Sequence, residues 1–385
     1  MFVTATVIAI VACEQGGRLC LPGDATPCEC PGAARGLATC ASDGSAYGAC
    51  ACASADAGVD ASPPPTPEAW TFVQGGFDAK AHAVDIAVAT DGAIYVATDR
   101  GILRSKDAGA TWSAINAGLT NTTTRVVATS PMNAAALFAL CDRRASSPYV
   151  FRTVDGGETW TPVDTSVPTG RDYDLWAFHA QPNLGPIAAG YDGVALEPVV
   201  LVGSKSGTSW ARVGLGTHTG NAVSIAGSGP NDLFVGVNGG GLDTGGVFHS
   251  TDGAKTWIDS AVGIDTESVA LVEALEMDPT NPKVLFAAIG GAGQIYRTTG
   301  GGASWERSAS GIAAGVAVRA IRVNTARSAE AIAATSRGVF RTMDGGGTWS
   351  AWGLEGADVV AIAVDSHRVL AATSTTPSLY VRLDD

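Results

Sequence analysis

Ser105-Lys106-Asp107-Ala108-Gly109-Ala110-Thr111-Trp112 is the stretch on which the fold turns. It returns as Thr153-Val154-Asp155-Gly156-Gly157-Glu158-Thr159-Trp160, and again around Trp210, Trp257, Trp305 and Trp349. The tryptophans stand 48, 50, 47, 48 and 44 residues apart. A period of this size marks a solenoid, a propeller or an array. The period bears on architecture and is silent on ligands.

The common template is Ser/Thr-x-Asp-x-Gly-x-Thr-Trp. A short apolar run precedes most copies, as in Ile102-Leu103-Arg104 and Val339-Phe340-Arg341, and an extended segment such as Trp160-Thr161-Pro162-Val163 follows. The octapeptide therefore reads as the turn of a β-hairpin. The Asp carboxylate accepts backbone N–H groups about two residues on. The Gly supplies a positive φ at no steric cost, and the Trp buries roughly 150–250 Å². These residues resemble the Asp-box, or bacterial neuraminidase repeat. The resemblance implies a structural turn between the third and fourth strands of a propeller blade. Asp107, Asp155, Asp252 and Asp344 keep the acid, whereas Lys205 and Gly300 replace it. A calcium or catalytic role for the repeated carboxylate is the competing reading. Two copies drop the acid yet keep Gly-x-Ser-Trp, which favours turn closure, so no metal and no cofactor are expected.

Each period holds four strand-like runs. The first two are joined by plain turn signals such as Ser130-Pro131-Met132-Asn133 and Asp278-Pro279-Thr280-Asn281-Pro282. Short, evenly spaced strands with one aromatic signature per unit read as a β-propeller. Six octapeptides suggest six blades, but the ends argue for seven. Three strands follow Trp349, at Val359–Val364, Val369–Thr373 and Leu379–Arg382. The missing fourth strand stands at the other end, in Ala69-Trp70-Thr71-Phe72-Val73. The expectation is an all-β chain, a seven-bladed propeller of four-stranded blades over 69–385, with N- and C-terminal strands sharing one blade and no exposed sheet edge.

Upstream, residues 1–12 form an apolar run that resembles a secretion signal. Ile10-Val11-Ala12-Cys13 resembles a bacterial lipobox, which implies lipidation at Cys13. No Lys or Arg precedes the run, and a plain cleaved signal is the alternative. Residues 13–52 carry Cys20, Cys28, Cys30, Cys40, Cys50 and Cys52 among Gly, Ala and Pro. Such a segment cannot build a core and needs staples. An even count in an exported chain reads as three disulfides of open connectivity. Zinc is the alternative, though the close pairs here are Cys-x-Cys, not Cys-x2-Cys. The pattern resembles stalk modules of Gram-negative lipoproteins. Residues 53–68 read as a Pro/Ala-rich, semi-rigid linker.

A net charge of −13 with only 24 Lys and Arg argues against nucleic acid and anionic membrane surfaces as partners. Membrane contact is expected only through the lipid anchor, and the protein is expected to be a monomer. Strand topology places the octapeptides and the Pro-Asn turns on one face. The loops between second and third strands, and between blades, lie on the other. On that second face Arg143, Arg144, Arg171, Tyr173, Tyr191, Asp192, His218 and Asp243 are the candidate binding residues. The innermost strands align Ala87, Ala128, His179, Ala226, Glu276, Arg322 and Ala363 at one position. His179, Glu276 and Arg322 are thus candidate channel residues, with a Glu276–Arg322 ion pair the simpler reading. Cys141, alone at the end of an apolar run, reads as a buried inert thiol.

Sialidases carry Asp-boxes, so the resemblance also admits a glycoside hydrolase. Their Arg-Ile-Pro motif is absent, and the recurring Arg104, Arg152, Arg297 and Arg341 occupy one repeat position spread around a ring. Hydrolysis needs two facing carboxyls, and no such pair, hence no catalytic residue, can be nominated. Single rings with Asp-boxes are also similar to photosystem II assembly factors and, more remotely, to the sortilin ectodomain, which implies a ligand-binding scaffold. The expectation is a non-catalytic cell-envelope lipoprotein, exported and anchored in the outer membrane or secreted, that recognises an envelope or extracellular protein. A carbohydrate-binding or sialidase-like propeller is the alternative.

Overall fold

Seven four-stranded antiparallel sheets follow one another along the chain in the computed structural model. The structure describes residues 25–29, 35–39, 46–47, 69–78, 80–142, 150–163, 173–180, 185–215, 220–229, 231–239, 245–265, 271–290, 294–365, 367–376 and 378–383. Two compact units divide the chain, Met1–Pro64 and Pro65–Asp385. In the first, Ala25–Glu29 pairs with Arg35–Thr39 as an antiparallel hairpin in which Cys28 stands opposite Gly36. Cys13, Cys20, Cys30, Cys40, Cys50 and Cys52 lie outside the described residues.

The second unit is a β-propeller of seven blades. The innermost strands are Ala83–Val88, Thr124–Ser130, Tyr173–His179, Gly220–Gly229, Val272–Met277, Val318–Val323 and Val359–Val364, in blades one to seven. Blades one to six run outward in sequence order. The second strand has neighbouring blades on both faces. Ile94–Thr98, Leu285–Ile289 and Ala331–Thr335 are therefore buried along their whole length instead of alternating. The fourth strand is usually two exposed residues, as at Ser113–Ala114 and Glu306–Arg307, and so short an edge gives little template for aberrant pairing.

Blade seven closes the ring. Its strands Val359–Val364, Arg368–Thr373 and Leu379–Leu383 are completed by Thr71–Phe72. Thr71 pairs with Val381 and Phe72 with Tyr380. Trp70 packs edge-on against Trp352 at 5.6 Å and donates its indole N–H to the Trp352 carbonyl at 2.8 Å.

That last bond is one copy of a repeated clamp. Nε1–H of Trp160, Trp305 and Trp349 donates to the carbonyls of Ile115, Ser260 and Ser308 at 2.7, 2.7 and 2.6 Å. Each acceptor lies three residues past the tryptophan of the preceding blade, as Trp352 lies past Trp349. The backbone N–H groups of the same tryptophans reach Ala117, Val262 and Ser310 of that preceding blade at 2.8, 2.8 and 2.7 Å. Trp112 bonds within its own turn, to Gly109. The indole N–H groups of Trp210 and Trp257 are buried without a partner among the described residues.

The octapeptide folds as a closed turn. Asp155 accepts from the Thr159 amide at 3.0 Å, the Thr159 hydroxyl at 2.6 Å and the Thr153 hydroxyl at 2.6 Å. Asp107, Asp252 and Asp344 make the same set. These donors favour the charged carboxylate. Bonds from Thr256 take Asp252 down to about 2, and the Thr348 amide does the same for Asp344. In the third turn the Ser204 hydroxyl replaces the acid, accepting from the Ser209 amide at 3.2 Å.

Trp349→Phe keeps the ring but strands the Ser308 carbonyl. A buried orphan acceptor costs roughly 1–3 kcal/mol, and Trp349→Ala should cost about 3–5 kcal/mol. Chemical denaturation of the two variants is expected to rank them in that order.

Candidate functional site

Every innermost strand presents its unpaired edge to the axis, so the groups along it need partners. Three side chains meet that need in the same direction around the ring. Asp85 of blade one accepts the Val127 amide of blade two at 3.0 Å. His179 of blade three places Nε2 at 3.2 Å from the Gly227 carbonyl of blade four, to which the Nε2–H tautomer donates. Glu276 of blade five accepts the Val323 amide of blade six at 3.3 Å. Arg322 of blade six reaches back to Glu276 at 3.4 Å and to its own neighbour's carbonyl, Ile321, at 2.8 Å.

Around these groups lies a cavity of about 550 Å³, lined by His179, Ala226, Glu276 and Arg322 with Pro131 and Pro279 at the turn end. A second, of about 410 Å³, is lined by Asp85, Ala87, Ala128 and Ala363 and shares His179 and Arg322 with the first. The seven aligned positions line one or both of these cavities. Among the described residues no group of three or more His, Cys, Asp or Glu is placed to hold a metal.

The acids and the histidine retain some surface toward the channel, yet protein surrounds it, so they are less solvated than that partial exposure implies. Burial pushes the Asp85 carboxyl up to about 6, while the Val127 amide and the Arg322 charge pull it down. Burial also raises Glu276, against the pull of Arg322. It brings His179 down to about 4, with the Gly227 bond opposing and Arg322 adding to the effect. Asp85 was not among the residues singled out in the sequence. The available signal was its place two residues before Ala87, on the same strand face, where the other repeats have Val126, Ala177, Ser224, Ala274, Ala320 and Ala361.

At the other end of the channel, all seven innermost strands slip register by one residue. The extra residues are Val84, Arg125, Trp176, Val223, Glu273, Arg319 and Val360. A bulge re-aims a side chain. Here it turns one residue per blade onto the rim, while the residue before it is buried in each case. Trp176 is 41% exposed and Val84 38%. Arg125 stacks over Trp176 at 4.9 Å and lies 3.6 Å from Asp174 of blade three. Arg319 repeats the pairing with Asp358 of blade seven at 3.5 Å.

The loop residues expected to form the binding face divide into three groups. Arg143, Arg144, Arg171, His218 and Asp243 lie outside the described residues. Tyr191 is half-buried. Tyr173 and Asp192 are corrections: both are buried and cannot meet a partner. The Asp192 carboxylate closes its own loop, accepting the Val194 and Ala195 amides at 3.0 Å each, and pairs with Arg212 at 2.9 Å. Its polarity serves the turn. Cys141 is buried, and that burial raises its thiol to about 11, so it is not a nucleophile.

No family model matches the chain, and no curated protein matches it. Among solved structures it is similar to YCF48 from Cyanidioschyzon merolae, at 16% identity over 82% of this chain and 98% of that one, with a TM-score of 0.58. A second likeness is to YCF48 bound to D1 peptide, at 14% identity over 83% and 96%, with a TM-score of 0.60. A third is to an ancestral GH74 enzyme, at 18% identity over 81% of this chain but 46% of the enzyme, with a TM-score of 0.60. At these identities the likeness is one of fold.

Asp85 and His179 titrate in opposite senses. Asp85 is raised from 3.8, so its contribution to stability is full below pH 3.8 and lost as pH rises through about 6. His179 is lowered from 6.5, so its contribution is full above pH 6.5 and lost as pH falls through about 4. Asp85→Asn should therefore leave stability rising from pH 4 to 6.5 more steeply than in the parent, and His179→Gln should reverse the slope. Denaturation midpoints measured across that range test both signs.

Proposed function

We propose that this chain is a non-catalytic recognition module: an exported, lipid-anchored Asp-box propeller that binds an envelope or extracellular protein through the bulged rim. The observation that carries this reading is the common register slip, which brings an exposed Trp, two Arg and three Val to one mouth of the channel. Trp and Arg are the residues most enriched where binding energy concentrates. The axial acids support a non-catalytic role, because Asp85 and Glu276 are already engaged by amides of the next blade. A propeller of the same fold, YCF48, has been solved bound to D1 peptide, which makes peptide recognition a use this scaffold supports. Cys13 is the proposed lipid attachment point, residues 13–52 the disulfide-stapled stalk and 53–68 the spacer.

One observation favours a second reading. The exposed Trp176 indole is also a platform on which a sugar ring can stack.

Affinity capture from a native envelope fraction, with the full chain and its Trp176→Ala and Arg125→Ala variants, separates these readings. The parent is expected to retain a protein partner, and each variant to lose it by about tenfold or more. Capture unaffected by both variants would remove the rim from consideration. Retention of a glycan, or turnover of a fluorogenic glycoside, would move the assignment to carbohydrate. Mass spectrometry of the mature N-terminus is expected to find an acylated Cys13.

A further inference from the structure

The fifth repeat of the turn lacks its acid, and an arginine without an ion-pair partner lines the same cavity. Gly300 stands where its siblings carry Asp107, Asp155, Asp252 and Asp344. In those siblings the acid is held by an amide and two hydroxyls; in the fifth turn the matching groups are the Ser304 amide, the Ser304 hydroxyl and the Thr298 hydroxyl. Among the described residues none of the three donates to a protein acceptor. Thr298 Oγ1 only receives, from the Gly300 and Gly302 amides at 3.1 and 3.2 Å. The third turn, which also lacks the acid, repairs the loss with Ser204. The fifth has no such repair.

The second feature lies at the next blade. Between blades one and two, Arg104 pairs with Glu158 at 2.9 Å and bonds the Gly156 carbonyl at 2.7 Å. Between blades five and six the matching residues are Arg297 and Gly347, so no acid stands at that position, as none does at Thr208 beside Arg152. Arg297 makes no hydrogen bond or ion pair among the described residues; it lies over the Phe286 ring at 6.0 Å, and its Nε, like that of Arg104, is buried without a partner. A cavity of about 230 Å³ occupies this place, lined by Arg297, Thr298, Gly300, Ser304 and Gly347. Glu306 and Arg307 also line it, so its charged side chains carry one surplus positive charge.

We propose that this cavity is a receptor for a carboxylate, which takes the place of the missing Asp side chain, with Arg297 on the same cavity wall supplying positive charge. The four intact turns display the coordination: an amide and hydroxyl from the Ser304 position, a hydroxyl from the Thr298 position. The site lies among the turns, at the opposite end of the blades from the bulged rim, and does not depend on recognition there. The carboxylate comes either from a small free acid or from an acidic side chain of a bound protein.

Calorimetric titration of the full chain at matched ionic strength distinguishes these sources. Malonate represents the free acid; N-acetyl-Asp-Asp-amide represents the side chain, with its Asn-Asn counterpart and chloride as controls. Saturable binding of malonate or of the Asp peptide is expected, and the tighter of the two identifies the source. Gly300→Asp should abolish binding by filling the site from within. A Cβ there meets only Ala303 Cβ at 3.7 Å and Thr298 Oγ1 at 3.9 Å, so the variant is accommodated, and its unfolding midpoint should rise. Arg297→Gln should weaken binding by about tenfold or more. Binding of neither probe above the controls, or undiminished binding by Gly300→Asp, overturns the proposal.

Discussion

An indole N–H in one blade donates to a carbonyl three residues beyond the tryptophan of the blade before, and the rest of the ring is arranged so that this can recur. A propeller blade makes all its ladder hydrogen bonds internally. What holds blades to one another is side-chain packing, which is non-directional. The tryptophan adds direction. Its ring fills the gap between sheets while its side-chain and backbone N–H groups fix the height of one blade against the next. The octapeptide exists to present that ring. Two successive residues of positive φ, such as Gly345 at 70° and Gly346 at 94°, reverse the chain, and a Cβ on Gly346 would collide with Ser308 of the preceding blade.

Much of this was legible before any coordinates. A Trp every 44 to 50 residues announced the repeat, and the fourth strand lacking at one end and present at the other announced the closure. The position of Trp70 against Trp352 repeats the clamp without the octapeptide, because the contact depends on the tryptophan and not on the turn that usually precedes it. What the sequence hid was register. A one-residue slip leaves no compositional mark, so Val84, Arg125 and Trp176 read as ordinary members of alternating strands. The loop residues misled for a related reason. Asp192 is polar because its loop must be closed from within, and a sequence offers no sign of whether a carboxylate faces its own backbone or the solvent. Asp85 stands outside the one aligned position of the inner strands, and its partner lies 42 residues away on the next blade.

The axial groups illustrate how one side chain can look functional and be structural at once. Asp85, His179 and Glu276 are displaced in their proton affinities, which is the usual mark of a chemical site. Each is also the partner of an edge group that the fold would otherwise leave unsatisfied. Desolvation at a crowded axis shifts the proton equilibrium whether or not chemistry follows. Arg322 differs. Its guanidinium favours the charged form of both acids while leaving part of its hydrogen-bonding capacity toward the cavity.

The pairing of Phe72 with Tyr380 has a kinetic consequence. Some three hundred residues separate the two, so the strand that completes the last sheet is made first and must wait for its partner, and contacts this distant in sequence form late. Six blades' worth of sheet precede the strands that let the circle seal. The final strands thus act as the latch of the ring.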